Sequence, residues 1–120
     1  MITSRGLNHI HLNVSNLKRS VRFYQEAFGL KIRFTAGRGL VFLGSPGASD
    51  LITLCKAQKG EPIGKGGLSH FGFEMKGAMD RCIAQVEGAG GKLLERGEHQ
   101  PGLAYAYLAD SDGYVIEIGN

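Results

Sequence analysis

The chain is written twice, and that repeat limits its possible folds more than any other feature. At a constant offset of 61 residues, Leu7-Asn8-His9-Ile10-His11-Leu12-Asn13-Val14 falls on Leu68-Ser69-His70-Phe71-Gly72-Phe73-Glu74-Met75, which carries His9 onto His70 and Val14 onto Met75. The match runs without a gap to Gly29-Leu30-Lys31-Ile32 over Gly90-Gly91-Lys92-Leu93. Near the end of each half the offset becomes 64, placing Leu51-Ile52-Thr53-Leu54 over Val115-Ile116-Glu117-Ile118. Self-similarity at this scale means one supersecondary unit used twice.

Each half reads the same way. Residues 7–15 alternate apolar and polar, the period of a half-buried strand. Asn16 is a helix N-cap for about 17–28, with Leu17, Val21, Tyr24 and Phe28 on one face and Gly29 as the stop. Short strands are expected at about 30–35, 39–44 and 50–55. The second half repeats this: strand 68–75, helix 77–88 with Met79, Cys82, Ile83 and Val86 inward, then strands near 91–97, 104–109 and 114–118. Glycine is abundant, 19 of 120 residues, and falls between the apolar runs, as expected for tight turns between short strands. The expected fold is α+β: two βαβββ modules forming a curled mixed sheet around a cavity, with helices outside. One domain spans 1–120, with module 1 at about 1–55, a polar glycine-rich linker at 56–67 and module 2 at about 68–120.

Composition removes several classes of function. With 42% hydrophobic and 21% charged residues the chain is neither disordered nor, lacking any long apolar run, membrane-spanning. No apolar signal-peptide core opens it, and two cysteines, Cys55 and Cys82, are too few for a disulfide framework, so a cytoplasmic protein is expected. A net charge of +3 suits an anionic small molecule better than nucleic acid or a membrane. Arg33 and Arg38 could reach such a substrate.

Alternation assigns the strand faces. Ile10, Leu12 and Val14 face the helix, and His9, His11 and Asn13 face away. Phe71 and Phe73 face the helix, and His70 and Gly72 face away. Thr53 shares its face with Cys55, and Glu117 lies opposite Ile116 and Ile118. The second face of the sheet therefore holds His9, His70, Thr53 and Glu117 at repeat-equivalent places. Two neutral imidazoles and one carboxylate suit a divalent transition metal with positions left open for substrate.

Four segments carry a resemblance that covers nearly the whole chain: Gly6-Leu-Asn-His-Ile-His-Leu-Asn-Val-Ser-Asn-Leu17, Arg22-Phe-Tyr24 with Phe28-Gly-Leu30, Leu68-Ser-His-Phe-Gly-Phe73, and Asp110-Ser-Asp-Gly-Tyr-Val-Ile-Glu117. In these the sequence resembles the vicinal oxygen chelate superfamily of glyoxalase I, fosfomycin-resistance proteins, extradiol dioxygenases and bleomycin-resistance proteins. The resemblance implies metal ligands at His9, His70 and Glu117. It also implies a homodimer, with the site built in some members between modules of two chains and in others within one.

The departures bear on the reaction. Where glyoxalase I enzymes place a fourth ligand, a glutamate, this chain has Thr53, a poor metal ligand, so a three-ligand set is expected. Ser111 stands where the closing motif usually has proline. The stretch from His99 through Tyr107 to Glu117 resembles the extradiol dioxygenase signature, implying His99 as a proton shuttle and Tyr107 as a hydrogen-bond donor. His11, Thr53 and Cys55 are candidate substrate-binding residues. The expectation is a metal-dependent enzyme acting on a small molecule with vicinal oxygens, using Fe2+ or Mn2+, with Zn2+ or Ni2+ possible. A dioxygenase-like oxidoreductase is favoured. The alternatives are a thiol or water transferase that opens an epoxide, and a metal-free antibiotic-sequestering protein.

Overall fold

Asn16 starts the first helix as its side chain allows. Its backbone is extended and its Oδ1 accepts the Arg19 N–H at 3.0 Å, and Gly29, at φ 67°, ends the helix by donating to Gln25 O while the Leu30 N–H donates to Tyr24 O. The computed structural model describes residues 1–37 and 39–119, so Arg38 lies outside the described residues. The first half runs β1 (Ile10–Val14), α1 (Leu17–Phe28), β2 (Lys31–Ala36), β3 (Leu40–Gly44) and β4 (Ile52–Lys56). The second runs β5 (Phe71–Glu74), α2 (Met79–Gly88), β6 (Lys92–Glu98), β7 (Ala104–Ala109) and β8 (Val115–Gly119). The βαβββ order therefore appears twice, as the repeat requires.

The strands form two four-stranded mixed sheets, ordered β1-β4-β3-β2 and β5-β8-β7-β6, and no barrel closes. In each sheet the first and last strands of the module pair in parallel and the remaining pairs are antiparallel. The registers correspond row by row. His11, Thr53, Phe42 and Phe34 lie side by side across the first sheet, and Gly72, Glu117, Tyr107 and Glu95 across the second. Even the irregularity repeats: β2 is bulged between Ile32 and Phe34, and β6 between Leu93 and Glu95.

The strand faces divide as alternation demands. Leu12, Val14, Leu43, Leu54, Leu108, Ile116 and Ile118 are buried in one cluster shared by both modules. Each such side chain contributes about 1.5–3 kcal/mol on leaving water. The second helix buries Cys82, Ile83 and Val86, with Met79 packed at the margin. In α1 the stripe is turned from the expected one: Ser20, Phe23, Tyr24 and Ala27 are buried, while Leu17, Val21 and Phe28 flank them. Two residues of the buried stripe, Ser20 and Tyr24, meet Asp112 and Asp110 of the second module.

That contact is polar at its centre. Tyr24 Oη donates to Asp110 Oδ2 at 2.7 Å inside the core. Asp110 Oδ1 accepts the N–H groups of Asp112 and Tyr114, both at 2.9 Å, so the aspartate, rather than a proline at position 111, holds the turn into β8. Asp112 in turn accepts from Ser15 N and Arg19 Nη2, and Tyr114 Oη donates to Asn13 O at 2.6 Å. Phe28 stacks on Phe73 at 4.6 Å between centroids. The closing motif of the sequence is thus the joint between modules. Among the described residues, no helix is long and apolar enough to cross a membrane.

Candidate functional site

The parallel pairing of β5 with β8 sets Gly72 beside Glu117. A Cβ at position 72 would stand 3.1 Å from Glu117 O, so a glycine there lets the two strands approach and leaves room above the carboxylate. His70 precedes β5 and reaches over this gap, with Nε2 3.2 Å from Glu117 Oε2. From the far side, at the β6–β7 turn, His99 Nε2 donates to Glu117 Oε1 at 2.6 Å. The His99 ring is fixed by stacking on Tyr105 at 4.2 Å and 18°, and its backbone N–H donates to Leu103 O. Glu117 and His99 border a cavity of about 360 Å³ together with Phe73 and Tyr105, whereas His70 and Tyr107 line another of about 300 Å³.

Tyr107 meets His70 edge-on at 4.9 Å between centroids and Tyr105 at 5.2 Å. Burial, followed by the Glu117 and Glu95 carboxylates, raises the Tyr107 hydroxyl above its ordinary value. Tyr105 is raised as well, by burial first and then by Glu95, to which its hydroxyl donates at 3.3 Å. Both phenols therefore stay protonated and act as donors at neutral pH.

His70, His99, Tyr107 and Glu117 are thus brought together. His9, His11, Thr53 and Cys55 lie on the first module. His9 Nδ1 is 2.7 Å from Asn8 Oδ1, and its ring stands 6.4 Å from that of Phe42. It borders a second, smaller cavity of about 140 Å³ shared with Asp50, Phe71 and Phe73. His11 Nε2 is 3.2 Å from Asn13 Oδ1, two residues along the same strand face. Cys55 is half-buried and Cys82 is in the core. Thr53, beside His11 in the row equivalent to Glu117, is only 2% exposed, and its Oγ1 has no hydrogen-bond partner. Arg33 is spent on structure, donating to Ser45 O and Ala48 O.

Among the described residues of one chain, no three His, Cys, Asp or Glu side chains gather as a metal site. The donors that do converge suit a cation nevertheless. A nitrogen and a carboxylate oxygen 3.2 Å apart have the separation of neighbouring ligands on one ion held at about 2.0–2.2 Å from each. The imidazole–carboxylate set is also that of a divalent transition metal. Sequence reasoning did not single out Asn8, Ser69 or Tyr105. The first two carried a readable signal, since each directly precedes a candidate ligand at the same repeat offset. The Tyr105 stack depends on a turn conformation that the sequence does not display.

A family model described as the Glyoxalase/Bleomycin resistance protein/Dioxygenase superfamily matches residues 6–118. The chain belongs to this superfamily. A lactoylglutathione lyase of Neisseria meningitidis serogroup A is 30% identical, the match covering 92% of this chain and 87% of that protein. A glyoxalase/bleomycin resistance protein from Albidiferax ferrireducens superposes with a TM-score of 0.73 at 26% identity, covering 94% of this chain and 96% of that one. The fosfomycin resistance protein FosX from Mesorhizobium loti superposes with a TM-score of 0.77 at 20% identity, over 98% and 93% of the two chains, a likeness of fold alone.

Proposed function

We propose that this superfamily member is a metal-dependent enzyme that binds a small substrate through two adjacent oxygen atoms, in a site formed by His70 and Glu117 of one protomer and His9 of a second copy. The observation that carries the reading is the 3.2 Å approach of His70 Nε2 to Glu117 Oε2, with an open cavity on the Glu117 and His99 side of the pair. The split of the donors supports the dimer, because His9, His11, Thr53 and Cys55 lie on the opposite module. Exposed apolar side chains support it too: Phe34 is 50% exposed and Ile32 47%, on a strand exposed along its whole length.

A divalent cation held there, Fe2+ or Mn2+ with Zn2+ or Ni2+ also compatible, would supply Lewis-acid polarisation of vicinal oxygens and, as Fe2+, activation of O₂. The protein's own groups have distinct tasks. With its Nε2–H committed to Glu117, His99 keeps a lone pair on Nδ1 that accepts the proton lost by an entering diol. Tyr107, held protonated, donates to a substrate oxygen. The Tyr105 ring shields one side of the cavity. His11 and Cys55 are assigned to the substrate side of the first module, and Thr53, whose hydroxyl is buried and unpartnered, lies in the same row as His11.

The favoured reaction is dioxygenase-like oxidation, supported by the presence of both His99 and Tyr107 around His70 and Glu117. The test is oxygen uptake with a panel of catechols after anaerobic Fe2+ loading, compared with a His70→Ala variant. Uptake that vanishes in the variant supports the reading, and no uptake with any catechol removes it. The lactoylglutathione lyase relative favours a second reading, isomerisation to lactoylglutathione, and Thr53 in place of a fourth carboxylate weighs against it. Formation of that product by the Ni2+- or Zn2+-loaded protein would decide for it. Metal-free protein that still binds a ligand would instead indicate a sequestering role.

A further inference from the structure

Each of the two candidate metal-ligating imidazoles is preceded in the chain by a residue whose side-chain oxygen lies on its Nδ1. Asn8 Oδ1 is 2.7 Å from His9 Nδ1, and Ser69 Oγ is 3.1 Å from His70 Nδ1. The two contacts are related by the repeat, since Asn8 falls on Ser69 as His9 falls on His70. A neutral imidazole carries one N–H and one lone pair, so an oxygen that accepts from Nδ1–H leaves Nε2 as the only nitrogen able to ligate. The third candidate ligand is treated alike: His99 occupies Glu117 Oε1 at 2.6 Å and leaves Oε2 facing His70 Nε2.

Resting on the metal reading above, we infer that Asn8 and Ser69 are positioning residues that hold His9 and His70 in the Nδ1–H form, so that both present Nε2 to the same cation. Neither side chain touches the cation or the substrate. Asn8 fixes ring rotation and tautomer before the ion arrives, and Ser69 fixes the rotation of its ring and accepts the Nδ1–H as the ion binds, which removes an ordering cost from metal binding. The two oxygens differ in strictness. The Asn8 amide oxygen can only accept, whereas the Ser69 hydroxyl rotates and can also donate. Asn8 therefore holds its histidine before metal binds. Ser69 accepts from His70 once a cation takes the place between Nε2 and Glu117 Oε2.

The test has two arms. Zn2+ and Mn2+ binding to the full chain is measured by calorimetry for wild type, Asn8→Ala, Ser69→Ala, and the conservative Asn8→Asp and Ser69→Thr. Loss of an outer-shell partner weakens metal binding by roughly 10–100-fold. The alanine variants are expected to fall in that range and the conservative ones to recover most of it. In the second arm, ring-nitrogen NMR at roughly pH 8.5, where unperturbed imidazoles are neutral, reads His9 as the Nδ1–H tautomer without metal and both histidines as Nε2-bound with Zn2+. Alanine variants that bind like wild type, or an Nε2–H tautomer at His9, overturn the inference while leaving the metal reading intact. A wild-type chain that takes up neither ion overturns the metal reading itself, and the tautomer of His9 still decides its orientation by Asn8.

Discussion

His99 Nε2 donates to Glu117 Oε1 at 2.6 Å while His70 Nε2 stands 3.2 Å from Oε2, so one carboxylate is addressed on both oxygens by different imidazoles. The two contacts predict unequal effects of mutation. His70→Ala and Glu117→Gln each remove a ligand and should abolish stoichiometric Mn2+ or Zn2+ binding. His99→Gln keeps a donor on Oε1 and should retain binding but lose the proton acceptor, so that turnover falls by roughly 10²–10⁴-fold. Metal content by elemental analysis, followed by kcat on an active substrate, separates the two classes.

A site shared between protomers makes a complementation prediction. His9→Ala and His70→Ala homodimers should each lack intact sites. Unfolding and refolding the two together should form mixed dimers in which one site carries all three ligands, restoring part of the metal binding. Calorimetry before and after mixing measures it, and no recovery would place the three ligands within one chain. Sedimentation of the wild type should show a dimer.

The buried pair Tyr24–Asp110 predicts a pH-dependent cost. Burial is the largest influence on the Asp110 carboxyl and raises it above its ordinary value, against the lowering effect of Tyr24 and of the Tyr114 and Asp112 N–H groups. A raised carboxyl means that the folded state holds the proton longer than the unfolded chain. Its ionisation therefore costs stability as pH rises from the ordinary value through the folded one. Tyr24→Phe removes one lowering donor, raises Asp110 further and widens that window. The variant should lose about 1–3 kcal/mol at neutral pH, the cost of leaving a buried acceptor short of a donor. The loss should be smaller at roughly pH 3, below the ordinary carboxylate value. Urea unfolding of both proteins at the two pH values tests it.

Thr53 predicts a gain in stability without loss of metal binding. Its hydroxyl is buried without a partner, and valine has nearly the same shape. Thr53→Val should leave thermal stability unchanged or raise it by up to about 1 kcal/mol, because an unsatisfied polar group is removed. Metal affinity should stay as in wild type, because the hydroxyl is buried and makes no contact with His70 or Glu117; thermal unfolding and calorimetry measure the two.

Gly64 joins the linker to the site module. Its φ of 79° and a would-be Cβ only 2.5 Å from Asp112 O leave no room for alanine. Gly64→Ala should cost about 1–3 kcal/mol through left-handed strain, more where the Asp112 backbone must also move. Chemical denaturation measures it.

The repeat, read from the sequence alone, was enough to determine the module. An offset of 61 with strand alternation fixed the element order, the helix caps at Asn16 and Gly29, and the sheet face of Glu117. These follow from local rules of 2- and 3.6-residue periodicity and of capping, which operate over a few neighbouring residues. What depended on the rest of the molecule was decided only in three dimensions. The α1 stripe took in Ser20, which meets Asp112 of the second module beside the Tyr24–Asp110 bond. Asp110 became a buried joint because Tyr24, 86 residues away, reaches it. Thr53 lost its partner inside the packing, and His99 reached Glu117 because the β6–β7 turn folds back over β8. Such contacts join residues far apart in the chain through the packing of whole elements, and no local pattern records which side chains that packing will bring to one point.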